Sequence, residues 1–569
     1  VSGAGETVDA GQRAEAMGGA VTSGLAEGAA LRPGSGRYGA AAWIFCRSVG
    51  LTYLIAFLSL HGQLLGLVGA GGIRPAEELL GLAGSRFGDD AWLRLPTVLW
   101  TTGASDEALL AVCAAGELAA GALLVGLLPG LAALASWGLY LSLVSVGSPF
   151  LPLQWDTLLL EVGFLTAFLA GPRLWTPPWD ARNPAWPARW ALGLLAFRLH
   201  FASGVVKLAS GDGSWWSLRA LDHHFETQPL PNPVSYWAHH APDLVNQALT
   251  ASTLGLELIA PWGLLALASD RAEEPRLRRR LRQGSALALV ALQLGFAATG
   301  NFGFFNLLAL ALLVPFFDDA SLAPWLRRVV PTPGLAEPRA SQLPGGPDAG
   351  RGRRGFWAWT GISAAPVTVV AFLGLIQLGV VVPGLSALVP DPARRLVSAL
   401  APFRVANGYG LFAVMTTDRP ELVFEGTADG ETWKPYRFHY KPGPLDRGLP
   451  FVAPHMPRLD WQLWFAALGS ERQHPWVVSF MGRLLEAEPS VLHLLARDPF
   501  RGTPPVGVRA LLYDYAYAAP QERRETGRVW RRTLLGRWGP RLARRPPAPA
   551  DDARIPEGEG GEGGEGLGE

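Results

Sequence analysis

RLHFASGVVKLASGDGSWWSLRALDHHFETQPLPNPVSYWAHH, residues 198–240, is the stretch on which the reading of the whole chain turns. It begins inside an apolar run and leaves it through a Gly/Ser turn. It then becomes dense in tryptophan, histidine and acid before a Pro-broken end. A charged side chain at the centre of a membrane-crossing helix costs roughly 2.5–3.5 kcal/mol, so such groups face a bundle interior or a cavity and mark candidate sites. Lys207 stands out by counting: of 49 Lys plus Arg, only Lys207, Lys434 and Lys441 are lysine. Arginine stays protonated in a protein, whereas a desolvated lysine can become a neutral base. Lys207 therefore has two readings. It is a helix-end cation whose stem lies along apolar surface, or it is an enclosed lysine that pairs with a buried carboxylate, Glu161 or Asp156, or does chemistry.

Working outward, 49% of the 569 residues are hydrophobic and 17% charged, and mean hydropathy is positive, which indicates a membrane protein. A net charge of +1 gives no global attraction to nucleic acid. Cys46 and Cys113 both lie in apolar segments, so no disulfide framework or Cys-based zinc site is indicated. High Ala, Gly, Arg and Pro usage suggests a GC-rich bacterial genome.

About nine apolar spans are expected, near 40–60, 108–128, 131–147, 150–171, 188–209, 246–268, 283–299, 303–317 and 364–388. Pro129-Gly130 reads as a tight helical hairpin. Arginines in the loops at 171–189, 270–282 and 318–361 place those loops in the cytoplasm, leaving 209–245 and everything after the last span outside. The expected fold is an α-helical polytopic membrane bundle followed by a soluble α+β domain with a β-rich, sandwich-like part. The expected boundaries are a disordered lead-in 1–37, the membrane domain 38–390, the outer α+β domain 391–540 and a disordered Gly/Glu tail 541–569. In the outer domain, PELVFEGTADGETWKPYRFHY has two β-rich runs around Asp429-Gly430, a hairpin signal.

Five stretches stand together: FLPLQWDTLLLEVGFL (150–165), residues 198–240, GNFGFFNLLALAL (300–312), PFRVANGYGLFAVMTTDRPELVFEGTADGETWKPYRFHYKPG (402–443) and PHMPRLDWQLWFAALG (454–469). In these the sequence resembles the lipase maturation factor family. The resemblance implies a membrane protein that assists folding or assembly of an exported client, a secreted lipase in the eukaryotic members. It implies the endoplasmic reticulum membrane for a eukaryotic chain and the plasma (inner) membrane for a bacterial one. FASGVVKL at 201–208 also looks like a segment of vitamin K-dependent carboxylases. In that family the lysine at the place of Lys207 is a base toward a reduced quinone.

Asp156, Glu161, Arg198 and Glu257 are read as a buried polar network that either pairs helices or lines a cavity with Lys207 and His200. Trp461, Trp464 and Phe465 are candidate anchors for a client, and equally candidates for the outer domain's own core. Trp215, Trp216 and Trp237 suit the aqueous interface. Asp222-His223-His224 and His239-His240 invite a metal reading, but HExxH and paired-Cys motifs are missing, so no metal or cofactor is expected. Two function classes remain. One is a maturation factor holding an exported client protein among membrane lipid, without nucleic acid. The alternative is a membrane enzyme acting on a lipid or quinone-like substrate, with Lys207 as general base and His200 or Asp222 assisting. A ligand-sized cavity converging on Lys207 discriminates between them.

Overall fold

The computed structural model describes residues 38–176, 183–266, 274–322, 324, 349–382 and 384–544. The lead-in 1–37, most of the tail, residues 270–273 of the arginine-rich loop 270–282 and much of the loop 318–361 lie outside these residues.

Long apolar runs with few breakers form the bundle. Its helices are α1 (Gly39–His61), α2 (Asp106–Val125), α3 (Pro129–Val146), α4 (Gln154–Ala170) and α5 (Trp186–Ala209). After the short α6 (Ala220–Thr227) and α7 (Pro233–His239) come α8 (Asp243–Leu264), α9 (Arg276–Thr299), α10 (Phe305–Leu313) and α11 (Ala349–Val381). Ser105 caps α2, its side chain accepting from Ala108 N, while Pro129 opens α3, forming the hairpin that Pro129-Gly130 announces.

Six of these helices are long and apolar enough to cross a membrane: α1, α2, α3, α5, α9 and residues 358–381 of α11. The expected count is nine, three more than these. The α4 helix has 17 residues, α10 has nine, and α8, though 22 residues long, carries Asp243, Asn246, Gln247 and Glu257. Helices α5 and α8 come close because Gly204 has no side chain. A Cβ there would meet Glu257 Cβ and Leu258 Cδ2 at 3.0 Å.

The C-terminal part contains a four-stranded antiparallel sheet ordered β2-β1-β5-β6, built from β1 (Arg419–Thr427), β2 (Trp433–Pro435), β5 (Gly507–Tyr517) and β6 (Trp530–Ala543). A two-stranded ribbon joins β3 (Arg437–Phe438) to β4 (Leu495–Arg497). Asp429-Gly430 turns β1 into β2, with Gly430 at φ 86° and the Asp429 carboxylate accepting from the Glu431 and Thr432 amides. Leu422 and Phe424 point inward from β1, where helices α12 (Arg458–Ala467) and α13 (Trp476–Glu486) pack against the sheet. Helices thus cover the face that a second sheet would need. No sandwich is formed among the described residues.

The C-terminal part is docked on the bundle, and one continuous apolar core runs through both. Arg419 of β1 donates to the carbonyls of Glu226, Gln228 and Pro229, which clasps the segment after α6. Asn301, at the end of α9, donates to Pro450 O at 2.9 Å and accepts from Val452 N at 2.8 Å.

Candidate functional site: a cavity at the Lys207–Glu257 pair

Three buried ion pairs organise the interior. Asp156, in the first turn of α4, takes both terminal nitrogens of Arg458 at 2.6 and 2.7 Å and also accepts from Tyr140 Oη at 2.6 Å. Glu161, one turn deeper, accepts from Arg198 at 2.8 Å, from Asn407 N at 2.9 Å and from Tyr409 Oη at 2.8 Å. Lys207 Nζ lies 2.9 and 2.7 Å from the two oxygens of Glu257, across the close approach that Gly204 permits. All six charged side chains are nearly inaccessible. The partner of Lys207 is therefore Glu257, and not Glu161 or Asp156, each of which has an arginine of its own.

A cavity partly open to solvent converges on Lys207 and Glu257. Two tryptophans and four phenylalanines line it, Trp155, Trp215, Phe296, Phe302, Phe305 and Phe412. Its remaining polar groups come from α5, α6, α8, α9 and α10. Asn306 donates to Gln293 Oε1 at 2.9 Å, and Gln293 Nε2 lies 3.2 Å from His200 Nε2. His200 Nδ1 lies 2.8 Å from Ala196 O, which can only accept, so the ring proton sits on Nδ1 and Nε2 receives the glutamine amide. The His224 ring packs against those of Phe302 and Phe412, while its carbonyl accepts from Gln228 N at 3.0 Å. Burial pushes its imidazole down from the ordinary 6.5 to about 4, with the Lys207 charge adding to the effect.

The other sequence candidates fall elsewhere. Asp222 is absent from the cavity wall and lies 3.6 Å from Arg219, so it is not placed to assist Lys207. Trp461 is 2% exposed and packs edge-on against Trp155, Trp464 donates to Thr227 O at 2.8 Å, and only Phe465 of the three is exposed. Trp216 and Trp237 are exposed as an interface role requires, but Trp215 is buried with Lys207 Nζ 5.2 Å above its ring. Three metal-capable side chains, His61, Cys113 and Glu117, lie together, with His61 2.7 Å from Glu117. The Cys113 thiol faces Phe57 O at 3.6 Å, so the trio has internal partners and falls one ligand short of a tetrahedral site.

A family model described as the lipase maturation factor transmembrane domain matches residues 40–324, and one described as the lipase maturation factor C-terminal domain matches 405–540. The chain is 33% identical over 598 residues to lipase maturation factor 2 of Homo sapiens, covering 88% of this chain and 82% of the relative. The chain belongs to the lipase maturation factor family. Lipase maturation factor 1 of Bos taurus is 32% identical over 519 residues and covered to 88%, as is this chain. No solved structure matches the chain significantly.

In this lipase maturation factor family member, sequence reasoning missed Arg458, Asn407, Tyr409 and His224 as parts of the buried chemistry. A signal was present for Arg458 and Asn407. Both lie inside stretches quoted for the resemblance, Arg458 in 454–469 and Asn407 in 402–443. Nothing in their spacing connects them to carboxylates hundreds of residues away, because those contacts form only when the C-terminal part docks.

Proposed function

We propose that this chain is a membrane-embedded factor that assists folding or assembly of an exported protein, a secreted lipase by the family's name. The family match along nearly nine-tenths of the chain carries the reading. In this proposal α4, α8 and α10 complete the crossings begun by the six longer helices. Support comes from the polar contacts at opposite ends of the bundle. At one end, the amides of Gly39, Ala40 and Ala41 donate to Asp319, and Arg279 and Arg282 meet Asp318 and Glu274. At the other, Asp156 meets Arg458 and Asn301 meets Pro450. Consecutive helices run between these ends, so the arginine-rich end faces the cytoplasm and the C-terminal part, from about 391 to 540, faces outward toward the client. Photo-crosslinking from Phe465 and Phe451, both exposed on that part, tests the reading in the full chain co-expressed with a secreted lipase. Crosslinks to the lipase are expected, and their absence from both positions in folded protein would refute client holding.

A second reading, a membrane enzyme with Lys207 as base, is favoured by one observation, the cavity that ends on Lys207. Lys207→Arg distinguishes them. Guanidinium keeps the charge toward Glu257 but stays protonated. Folded, abundant Lys207→Arg protein that no longer supports client maturation would move the assignment to chemistry.

A further inference from the structure

The wall of the cavity has polar groups of two kinds. Lys207 and Glu257 neutralise one another, and the chain from Asn306 through Gln293 and His200 to Ala196 O is closed. These groups ask nothing of an occupant, and together they bring no net charge to it. The indole N–H groups of Trp155 and Trp215 are different. Both residues line the cavity, both are more than nine-tenths buried, and neither N–H has a hydrogen-bond partner. Other buried indoles in the fold also lack partners, among them Trp137 and Trp476, but these two share one chamber with the imidazole of His224. A buried donor left unmade costs about 1–3 kcal/mol, so two on one wall call for an acceptor from outside the chain. A neutral chamber rejects a free carboxylate or an ammonium, since either would enter low dielectric without a counter-charge. Four phenylalanines, three leucines and Met415 supply the rest of the surface, which suits hydrocarbon.

We propose that this cavity binds an uncharged, lipid-like molecule through carbonyl oxygens that accept from Trp155 and Trp215, as the ester groups of a diacylglycerol do. The inference deepens the reading of the cavity as a ligand site and requires neither turnover nor client handling. Trp155→Phe and Trp215→Phe remove one donor each and keep a ring, so the edge contact of Trp155 with Trp461 and the Lys207 cation above residue 215 survive.

The test uses the full chain purified in an alkyl maltoside, which has no ester, with tritiated dioctanoylglycerol as the probe. Saturable binding is expected, displaced by unlabelled dioctanoylglycerol and by neither hexadecane nor octanoate at equal concentration. Each of the two Trp→Phe variants should weaken binding about tenfold. Trp216→Phe, whose exposed indole already donates to Leu208 O, should leave it unchanged. Hexadecane competing as well as the ester, octanoate binding more tightly, or undiminished binding by both Trp→Phe variants would overturn the proposal. So would folded wild-type protein without saturable binding. If the variants do not fold, competition on the unaltered protein still decides. Loss of client crosslinking with probe binding intact would count against the maturation reading alone.

Discussion

Lys207 and Glu257 hold each other where neither is stable alone. Removing one member of a buried pair leaves an uncompensated charge, which costs about 3–5 kcal/mol, more than the pair's net contribution. Lys207→Met should therefore lower the thermal midpoint of the purified protein sharply, and the double change Lys207→Met with Glu257→Leu should recover most of the loss. A double variant no more stable than Lys207→Met would show that the cost comes from packing and not from the stranded carboxylate. His224 gives a pH dependence with a definite sign. Its imidazole is held at about 4 in the fold against 6.5 ordinarily, so between these values the unfolded chain binds a proton that the folded chain refuses. The stabilisation is whole above pH 6.5 and is lost as pH falls toward 4, by about 3 kcal/mol at most. His224→Phe should flatten that part of a melting-temperature profile. An unchanged slope would assign the acid sensitivity to other groups.

At the scale of elements, two features fix how the helices meet. Gly204 sets the distance between α5 and α8, and Gly204→Leu should separate them and damage both the ion pair and the cavity. The second feature is Arg458, the first residue of α12, whose two nitrogens grip Asp156 at the start of α4. Arg458→Met should cost about 3–5 kcal/mol and loosen the C-terminal part from the bundle, seen as faster proteolysis between 382 and 419. Proteolysis at the wild-type rate would argue against this contact as the clasp. Much of this scale was legible in the chain. Apolar runs marked the helices, Pro129-Gly130 the hairpin and Asp429-Gly430 the turn. The span count is less legible, because α4 and α10 are short and α8 is polar, so length and composition alone support six of the nine expected crossings. The polar residues also announced burial without announcing partners. Glu161, Asp156 and Glu257 sit within 50 residues of a cation on a neighbouring helix, yet which cation each takes depends on Gly204 and on a domain folded much later in the sequence.

The described residues form a bundle with the C-terminal part docked on one end, one core through both and an aromatic-lined cavity near the join. Sidedness is checked by single cysteines at Glu431 and Arg280, both exposed, in a chain whose two native cysteines are buried. An impermeant thiol reagent applied from the cytoplasmic side is expected to label 280 and spare 431, and the reverse would invert the topology. Exported-client maturation is the claim on which the account rests, and one measurement reaches it directly. Cells lacking their own maturation factor, expressing a secreted lipase, are given this chain, and lipase activity per unit of secreted lipase protein is recorded. The account predicts a clear rise in that specific activity, diminished by Arg458→Met. Unchanged specific activity, with the chain folded and abundant in the membrane, would contradict it.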